Sequence, residues 1–344
     1  MSSYLACNNL KGGYEYTKLF TCISYKTMMK KTRLLVLAVA LLTFILSGCS
    51  GKTASQPASD AGKTPETLTV QHELGKAAIP LQPQKIVVLD YGALDTLDSL
   101  DNTAKLAVSK SYLPPYLAKY KAEEYTDIGD IKEPNIEKIH AFGPDLIVIS
   151  GRQAKLYNEL SKIAPTLYIE TNPARYLEDF EKNTLLLGSI IDKKDKAQTM
   201  LTNIKTRIAK TKEQFAASPS RALVIMTNDG SLSAYGKGSR FGIIHDVLGV
   251  KTADENIAVS THGQEIGFEY IAEKNPDILF VIDRTVVVGG TNLASRTLDN
   301  GLVQETNAGK NKKIIYLDPA LWYLSGGGLQ STAQMVADIS QSIN

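Results

Sequence analysis

The sequence predicts an α/β fold of two lobes with central parallel sheets, joined by a helical spine. Three observations carry this. First, the strand-like run 144–152, entered through Pro144-Asp145 and ending in Arg152, recurs at 276–284, entered through Pro276-Asp277 and ending in Arg284. Each copy is preceded at matched spacing by a glutamate and an isoleucine, Glu137 with Ile139 and Glu269 with Ile271. Copies this far apart are too distant for a solenoid period and point to two similar lobes. Second, short apolar runs alternate with helical patterns in each half, as parallel sheets with crossover helices require. Third, 176–217 carries no strand signal, while Leu177, Phe180, Thr184, Leu187 and Ile191, then Ala197, Met200, Leu201, Ile204 and Ile208, keep a helical period. Gly188 and Asp192 are the candidate interruptions of that run.

Taken from the N-terminus, Lys30, Lys31 and Arg33 precede the uncharged run 34–46. This is a basic region and an apolar region of export-signal length, too short for an ordinary membrane span. It ends in Leu46-Ser47-Gly48-Cys49, which resembles a bacterial lipobox with Cys49 as the lipidated residue. Met29 is a natural start, so 1–28 reads as an upstream extension, 29–48 as the signal peptide, and 49–66 as the lipidated cysteine with a flexible linker. The N-terminal lobe is expected over 67–175, the spine over 176–217 and the C-terminal lobe over 218–344.

Within the first lobe, Lys85 to Asp90 reads as a buried strand and Ala93 to Leu100 as the helix after it. A short strand near Leu106 to Ser109 and a short helix at Tyr116 to Tyr120 follow the Pro114-Pro115 break. Asn135 is an N-cap candidate for the helix carrying Glu137. Beyond the first repeat copy, Ala154 to Ile163 reads as helix and Thr166 to Ile169 as strand. The second lobe opens with a strand at Arg221 to Met226, a turn at Asn228-Asp229-Gly230 and a short strand at Leu232 to Ala234. A helix from Phe241 to Leu248, the second repeat copy, a strand at Lys313 to Leu317 and a helix from Leu329 complete it.

Composition excludes several functions. With 43% hydrophobic and 22% charged residues the chain of 344 residues is globular, and a net charge of +2 gives no footprint for nucleic acid. The three cysteines are Cys7, Cys22 and Cys49, so the body holds no disulfide or zinc-thiolate site. Gly326-Gly327-Gly328 and Gly236-Lys237-Gly238 lack phosphate-loop spacing and read as turns.

Ligands of open α/β sheets bind outside the carboxyl ends of strands. That rule selects Arg152 and Arg284 after the repeated strands, Tyr323 after the last strand, and Arg240 and His262 in loops of the second lobe. For any one arginine, pairing with a carboxylate such as Asp283 is the ordinary fate. Two at equivalent repeat positions favour an anion held between lobes. His262 and Tyr323 together offer an imidazole and a phenolate to a hard cation such as Fe(III).

The passages Lys85 to Asp90, Ser150-Gly151-Arg152-Gln153, Ser239 to Asp246, Asp254-Glu255-Asn256-Ile257, Thr261-His262-Gly263, Asp283-Arg284 and Trp322-Tyr323-Leu324 resemble those of periplasmic siderophore-binding proteins of bacterial ABC importers. The likeness runs from about Leu68 to Asn344 and is greatest to the branch that binds ferric catecholates, of enterobactin and petrobactin type. It implies the class III binding-protein fold, two Rossmann-like lobes bridged by a long rigid helix, with no catalysis and no intrinsic cofactor. It implies that Arg152, Arg240 and Arg284 hold catecholate oxygens, and that His262 and Tyr323 complete the iron shell when the siderophore supplies two catechols. It further implies that Glu137 and Glu269 dock the permease of the importer, which works with its ATPase. The expected protein is a lipid-anchored, extracytoplasmic monomer. Asp101 departs from the glycine common in the family, and the turn from Ser325 to Gly328 is a residue short. Rival readings are another iron chelate such as a hydroxamate, haem or cobalamin on the same scaffold, a metal-dependent hydrolase, or a surface adhesin or metal-ion-binding lipoprotein. The arginine triad disfavours neutral ligands, and no paired-histidine or nucleophile-elbow motif supports the hydrolase.

Overall fold

The computed structural model describes residues 66–260 and 262–343. The expected extension, signal peptide, Cys49 and most of the linker lie outside them.

A hairpin of β1 (Thr67–His72) and β2 (Gly75–Pro80) opens the described chain. It was not foreseen, although Leu68, Val70 and Gly75, the first residue after its turn, are its signals. The first sheet has five parallel strands in the order β5-β4-β3-β6-β7. They are β3 (Lys85–Val88), β4 (Lys105–Val108), β5 (Thr126–Asp127), β6 (Leu146–Ile149) and β7 (Thr166–Tyr168). The second sheet runs β11-β9-β8-β12-β13, with β10 paired to β8. Its strands are β8 (Arg221–Asn228), β9 (Ser231–Tyr235), β10 (Lys251–Thr252), β11 (Gln264–Ile266), β12 (Ile278–Asp283) and β13 (Ile314–Leu317). β8, β10, β12 and β13 are parallel, and β9 and β11 add an antiparallel edge.

The sequence repeat is a structural repeat. β6 and β12 are buried along their whole length, as strands covered on both faces are. Each is preceded by a seven-residue helix, α1 being Tyr91–Ser99 and the repeat helices α2 (Ile136–Phe142) and α5 (Phe268–Lys274). Both repeat helices end in a left-handed residue, Gly143 at φ 61° and Asn275 at φ 39°. The duplicated Pro-Asp has a mechanical reason. Asp145 Oδ2 accepts from the backbone N–H groups of Gln84 at 2.8 Å and Lys85 at 2.9 Å, and Asp277 Oδ2 accepts from Arg221 N–H at 2.9 Å. Each carboxylate therefore fastens its strand to the first strand of its lobe. Asn135 caps α2 as expected, accepting from Lys138 N–H at 2.8 Å.

The spine is two helices, α3 (Tyr176–Ile190) and α4 (Lys194–Ala217). The break falls where Asp192 takes φ 57°, and a Cβ on Gly188 would come within 2.9 Å of the Ala197 Cβ, so glycine there admits close approach. Over its 24 residues α4 extends about 36 Å at 1.5 Å per residue. Its buried face, Ala197, Leu201, Ile204, Ile208, Thr211 and Phe215, follows the helical period. One apolar cluster joins Leu100, Tyr176 and Phe180 through this face to Ala222, Leu248 and Phe280 of the second lobe, so the spine is packed against both lobes. Asp101 adopts φ 55°, which explains why glycine suits that position. The last helix, α6 (Leu329–Gln341), buries Leu329, Met335, Val336 and Ile339 in the same cluster.

Two expected helices are shorter or displaced. The run from Ala154 is preceded by a 3-10 turn at Gly151–Leu156 and is α-helical only at Tyr157–Leu160. Phe241 to Leu248 is α-helical only at Ile243–Asp246, because the Asp246 carboxylate is drawn to Gly238 N–H at 2.7 Å. The short helices between Thr285 and Lys310 were not foreseen; none is longer than one turn.

Candidate functional site: an arginine cleft at two switch points

Both sheets reverse their winding beside their first strand, between β3 and β6 and between β8 and β12, and these are the crevices where ligands of open sheets bind. The loop after β3 carries Asp90, whose Oδ1 caps α1 by accepting from Ala93 N–H at 2.8 Å. The loop after β6 carries Arg152. Its turn is locked by the fully buried Gln153, which accepts from Ser150 N–H at 3.2 Å and donates to the Ile131 carbonyl at 2.5 Å. In the second lobe β8 ends in Asn228, and Arg284 follows β12.

The lobes therefore repeat one arrangement with one change. Arg152 Nη1 lies 3.8 Å from Asp90 Oδ2, while Arg284 Nη1 donates to the amide oxygen of Asn228. Asp283 is no partner for Arg284. Its carboxylate accepts from the Thr227 hydroxyl at 3.2 Å and from Thr285 and Ala294 N–H at 3.0 and 2.6 Å, anchoring the loop that holds Arg284. Asp90 and Asn228 are the residues that sequence reasoning missed. Their signal is positional, since each ends or follows the first strand of its lobe.

Arg240 stands on the turn after β9, pinned by Asp246 as above and by Ser239 Oγ donating to the Gly236 carbonyl at 2.5 Å. Tyr323 sits in a single π-type turn, Ala320–Leu324, a geometry concentrated at functional sites. All three arginines meet it. Arg152 Nη2 and Arg240 Nη2 donate to its carbonyl oxygen at 3.1 and 2.8 Å, and Arg284 Nε donates to its hydroxyl at 2.8 Å. The Arg240 guanidinium lies over its ring, 4.1 Å from the centroid, and that of Arg284 at 5.4 Å.

Among the described residues neither Arg240 nor Arg284 has a carboxylate within ion-pair distance. Burial pushes the Arg240 guanidinium below its ordinary value, and the neighbouring arginines add to this. Burial also pushes the Tyr323 phenol up, but the hydrogen bond from Arg284 and the charges of Arg240, Arg284 and Arg152 outweigh it, and the net direction is down. Tyr235 goes the other way, to about 12, because burial dominates there. An early-titrating phenol is therefore expected in the ligand-free protein. Its absorbance near 295 nm should rise below the ordinary tyrosine value of 10.0, and Tyr323→Phe should abolish that early step. An early step surviving in Tyr323→Phe assigns it to another tyrosine.

These groups open on a cleft of about 690 Å³ between the lobes, lined by Asp90, Arg152, Glu170, Arg240, Trp322 and Tyr323 among others. Arg284 holds Tyr323 from outside the lining. Val259 and Ser260 line the cleft, but His262, further along their loop, is exposed and is not a lining residue. Its carbonyl accepts from the Tyr235 hydroxyl at 2.8 Å. The structure thus gathers four of the five expected ligand-site residues at one point and leaves His262 on the adjoining loop. Glu137 and Glu269 are exposed at equivalent positions, the second residue of α2 and of α5.

A family model described as periplasmic binding protein matches residues 86–321. The chain is 45% identical over 318 residues to the petrobactin-binding protein YclQ of Bacillus subtilis (strain 168), covering 92% of this chain and 99% of that protein. It is 35% identical over 319 residues to the ferric-anguibactin-binding protein FatB of Vibrio anguillarum, covering 91% and 98%. The crystal structure of YclQ superimposes with a TM-score of 0.79 over 81% of this chain and 99% of that one. The periplasmic catecholate-siderophore-binding protein VctP of Vibrio cholerae, 38% identical, gives 0.75 over 80% and 100%.

Proposed function

The chain belongs to the periplasmic binding protein family, and from that premise we propose that it captures a ferric catecholate siderophore and delivers it to an ABC importer. The observation that carries this reading is the convergence of three guanidinium groups from both lobes on Tyr323, two of them without a carboxylate partner among the described residues. Such a cluster in a partly desolvated cleft calls for an anionic ligand of several charges. A tris-catecholate iron centre carries about three negative charges, which three arginines offset. The names of YclQ, FatB and VctP support an iron chelate as the cargo.

In this reading Arg152 and Arg240, which line the cleft, hold catecholate oxygens, and Arg284 adds its charge from behind Tyr323. A tetradentate bis-catecholate leaves two iron positions open, which the Tyr323 phenolate fills from within the cleft and the His262 imidazole fills by moving in from the adjoining loop. The lowered phenol of Tyr323 supports its part, since the phenolate is the ligating form. Iron arrives as cargo inside its chelate, and the event is capture and release with no bond of the siderophore broken. The protein works outside the cytoplasm, tethered through Cys49, with Glu137 and Glu269 presented to the permease.

Titrating the mature protein with ferric bis-catechol and tris-catechol complexes tests this. Trp322, the single tryptophan, is buried against the cleft and reports occupancy through its emission. Tight quenching is expected with both complexes. Tyr323→Phe and His262→Ala should each shift the charge-transfer band of the bis-catechol complex alone. Absence of quenching by either complex sinks the reading, whereas unshifted bands in both variants remove only the ligation by side chains.

A further inference from the structure

The glycine run Gly326-Gly327-Gly328 and the buried carboxylate of Asp95 have no part in the ligand contacts above, yet they meet. Asp95 stands on α1 in the first lobe and is 1% exposed. Its Oδ1 accepts from Gln330 N–H at 2.9 Å and its Oδ2 from Ser331 N–H at 2.7 Å, so it caps α6 from another element. The Tyr116 and Ser99 hydroxyls donate to it at 3.2 and 3.3 Å. Among the described residues it has no cationic partner; these four donors satisfy it. Burial pushes its carboxyl up, and the Ser331 and Gln330 amides oppose that.

The strap from Ser325 to Gly328 is shaped to this carboxylate. A Cβ on Gly328 would overlap it. Gly327 takes φ +94°, where a Cβ would come 2.7 Å from Thr171 Oγ1, and its N–H donates to the Tyr176 hydroxyl at 3.1 Å. A Cβ on Gly92 of α1 would lie 3.0 Å from the Gly326 carbonyl oxygen. The tight contacts of Gly327 and Gly328 thus belong to the first lobe or the start of the spine. The strap nevertheless continues the turn that carries Tyr323, which follows β13 of the second sheet.

A chain of hydrogen bonds connects the two. Ser331, held by Asp95, donates from Oγ to the Ser325 carbonyl at 2.7 Å, and Ser325 Oγ donates to the Ala320 carbonyl at 2.7 Å, closing the Tyr323 turn. We propose that Asp95 is a positioning residue for the ligand site: by clamping the glycine strap to the first lobe it sets Tyr323 and its carbonyl oxygen against Arg152 and Arg240. This rests on the reading of Tyr323 as a ligand-site residue. It also gives Gly328 a reason, since a Cβ there would run into the Asp95 carboxylate on α1.

Two variants test it, Asp95→Asn, which replaces one acceptor by a donor, and Ser331→Ala, a milder break in the middle of the chain that keeps the fold within reach. Both should weaken binding of the ferric bis-catechol complex, Asp95→Asn by about tenfold as coupled neighbours do. In a Tyr323→Phe background the share of the loss carried by the phenol should vanish, while the share carried by the carbonyl contacts to Arg152 and Arg240 persists. Without any ligand, both should move the early phenol step upward toward the ordinary tyrosine value, since the arginine contacts loosen. The phenol step is independent of what the protein binds, so a wild type that ignores catecholates sinks the proposed function and leaves this inference testable. Variants that lose thermal stability while keeping the wild-type phenol step and the wild-type affinity would overturn it.

Discussion

Arg240→Ala is expected to cost most of the affinity for a ferric catecholate while leaving the ligand-free protein as stable as before, or slightly more so. One guanidinium about 4 Å from one anionic charge contributes roughly 4 kcal/mol at an effective dielectric near 20. That is a ceiling of nearly three orders of magnitude in Kd, because each 1.4 kcal/mol is about tenfold; water re-entering the gap leaves a loss of at least about tenfold. The opposite sign on stability follows from burial. Arg240 has no carboxylate partner among the described residues, so its removal relieves a desolvated charge. The Tyr323 carbonyl keeps Arg152 as donor. Arg240→Lys should fall between, retaining charge but losing the flat face over the Tyr323 ring. Isothermal titration paired with thermal unfolding measures both signs. Unchanged affinity together with a large drop in Tm would make Arg240 a structural residue and remove the basis of the proposed function.

Replacing Glu137 and Glu269 together by alanine should abolish iron uptake in cells carrying the partner permease, with ligand affinity unchanged. Both carboxylates are exposed, in the first turns of α2 and α5, and neither lines the cleft. Losing a carboxylate from a helix first turn costs about 0.3–1 kcal/mol each through the helix dipole, too little to unfold the chain. Single variants should keep partial uptake, since the repeat presents one contact per lobe. Full uptake by the double variant would dismiss the docking role.

The duplicated run ending in Arg152 and Arg284 was legible because covered parallel strands are written as uninterrupted apolar runs, and their Pro-Asp entries recur with them. Arg240 and Tyr323 came onto the short list through the carboxyl-end rule, and only the family resemblance set them apart from other loop residues, since nothing in their local pattern marks a binding residue. Asp90 and Asn228 were missed because their role is set by which strands become neighbours, which lies outside any local window. The hairpin of β1 and β2 was passed over, and the one-turn helices after Thr285 carry no period long enough to read.

By itself the sequence determined the two lobes, the helical spine and the positions of the repeat arginines and glutamates, all properties of short windows repeated at a distance. Only the tertiary structure decided that three arginines share one tyrosine, that His262 stands outside their cleft, and that Asp95 holds the glycine strap. Those depend on residues such as Arg152 and Tyr323 being carried together by different elements. Side-chain convergence of that kind is fixed by packing of the spine and α6 against both lobes, and no local propensity encodes it.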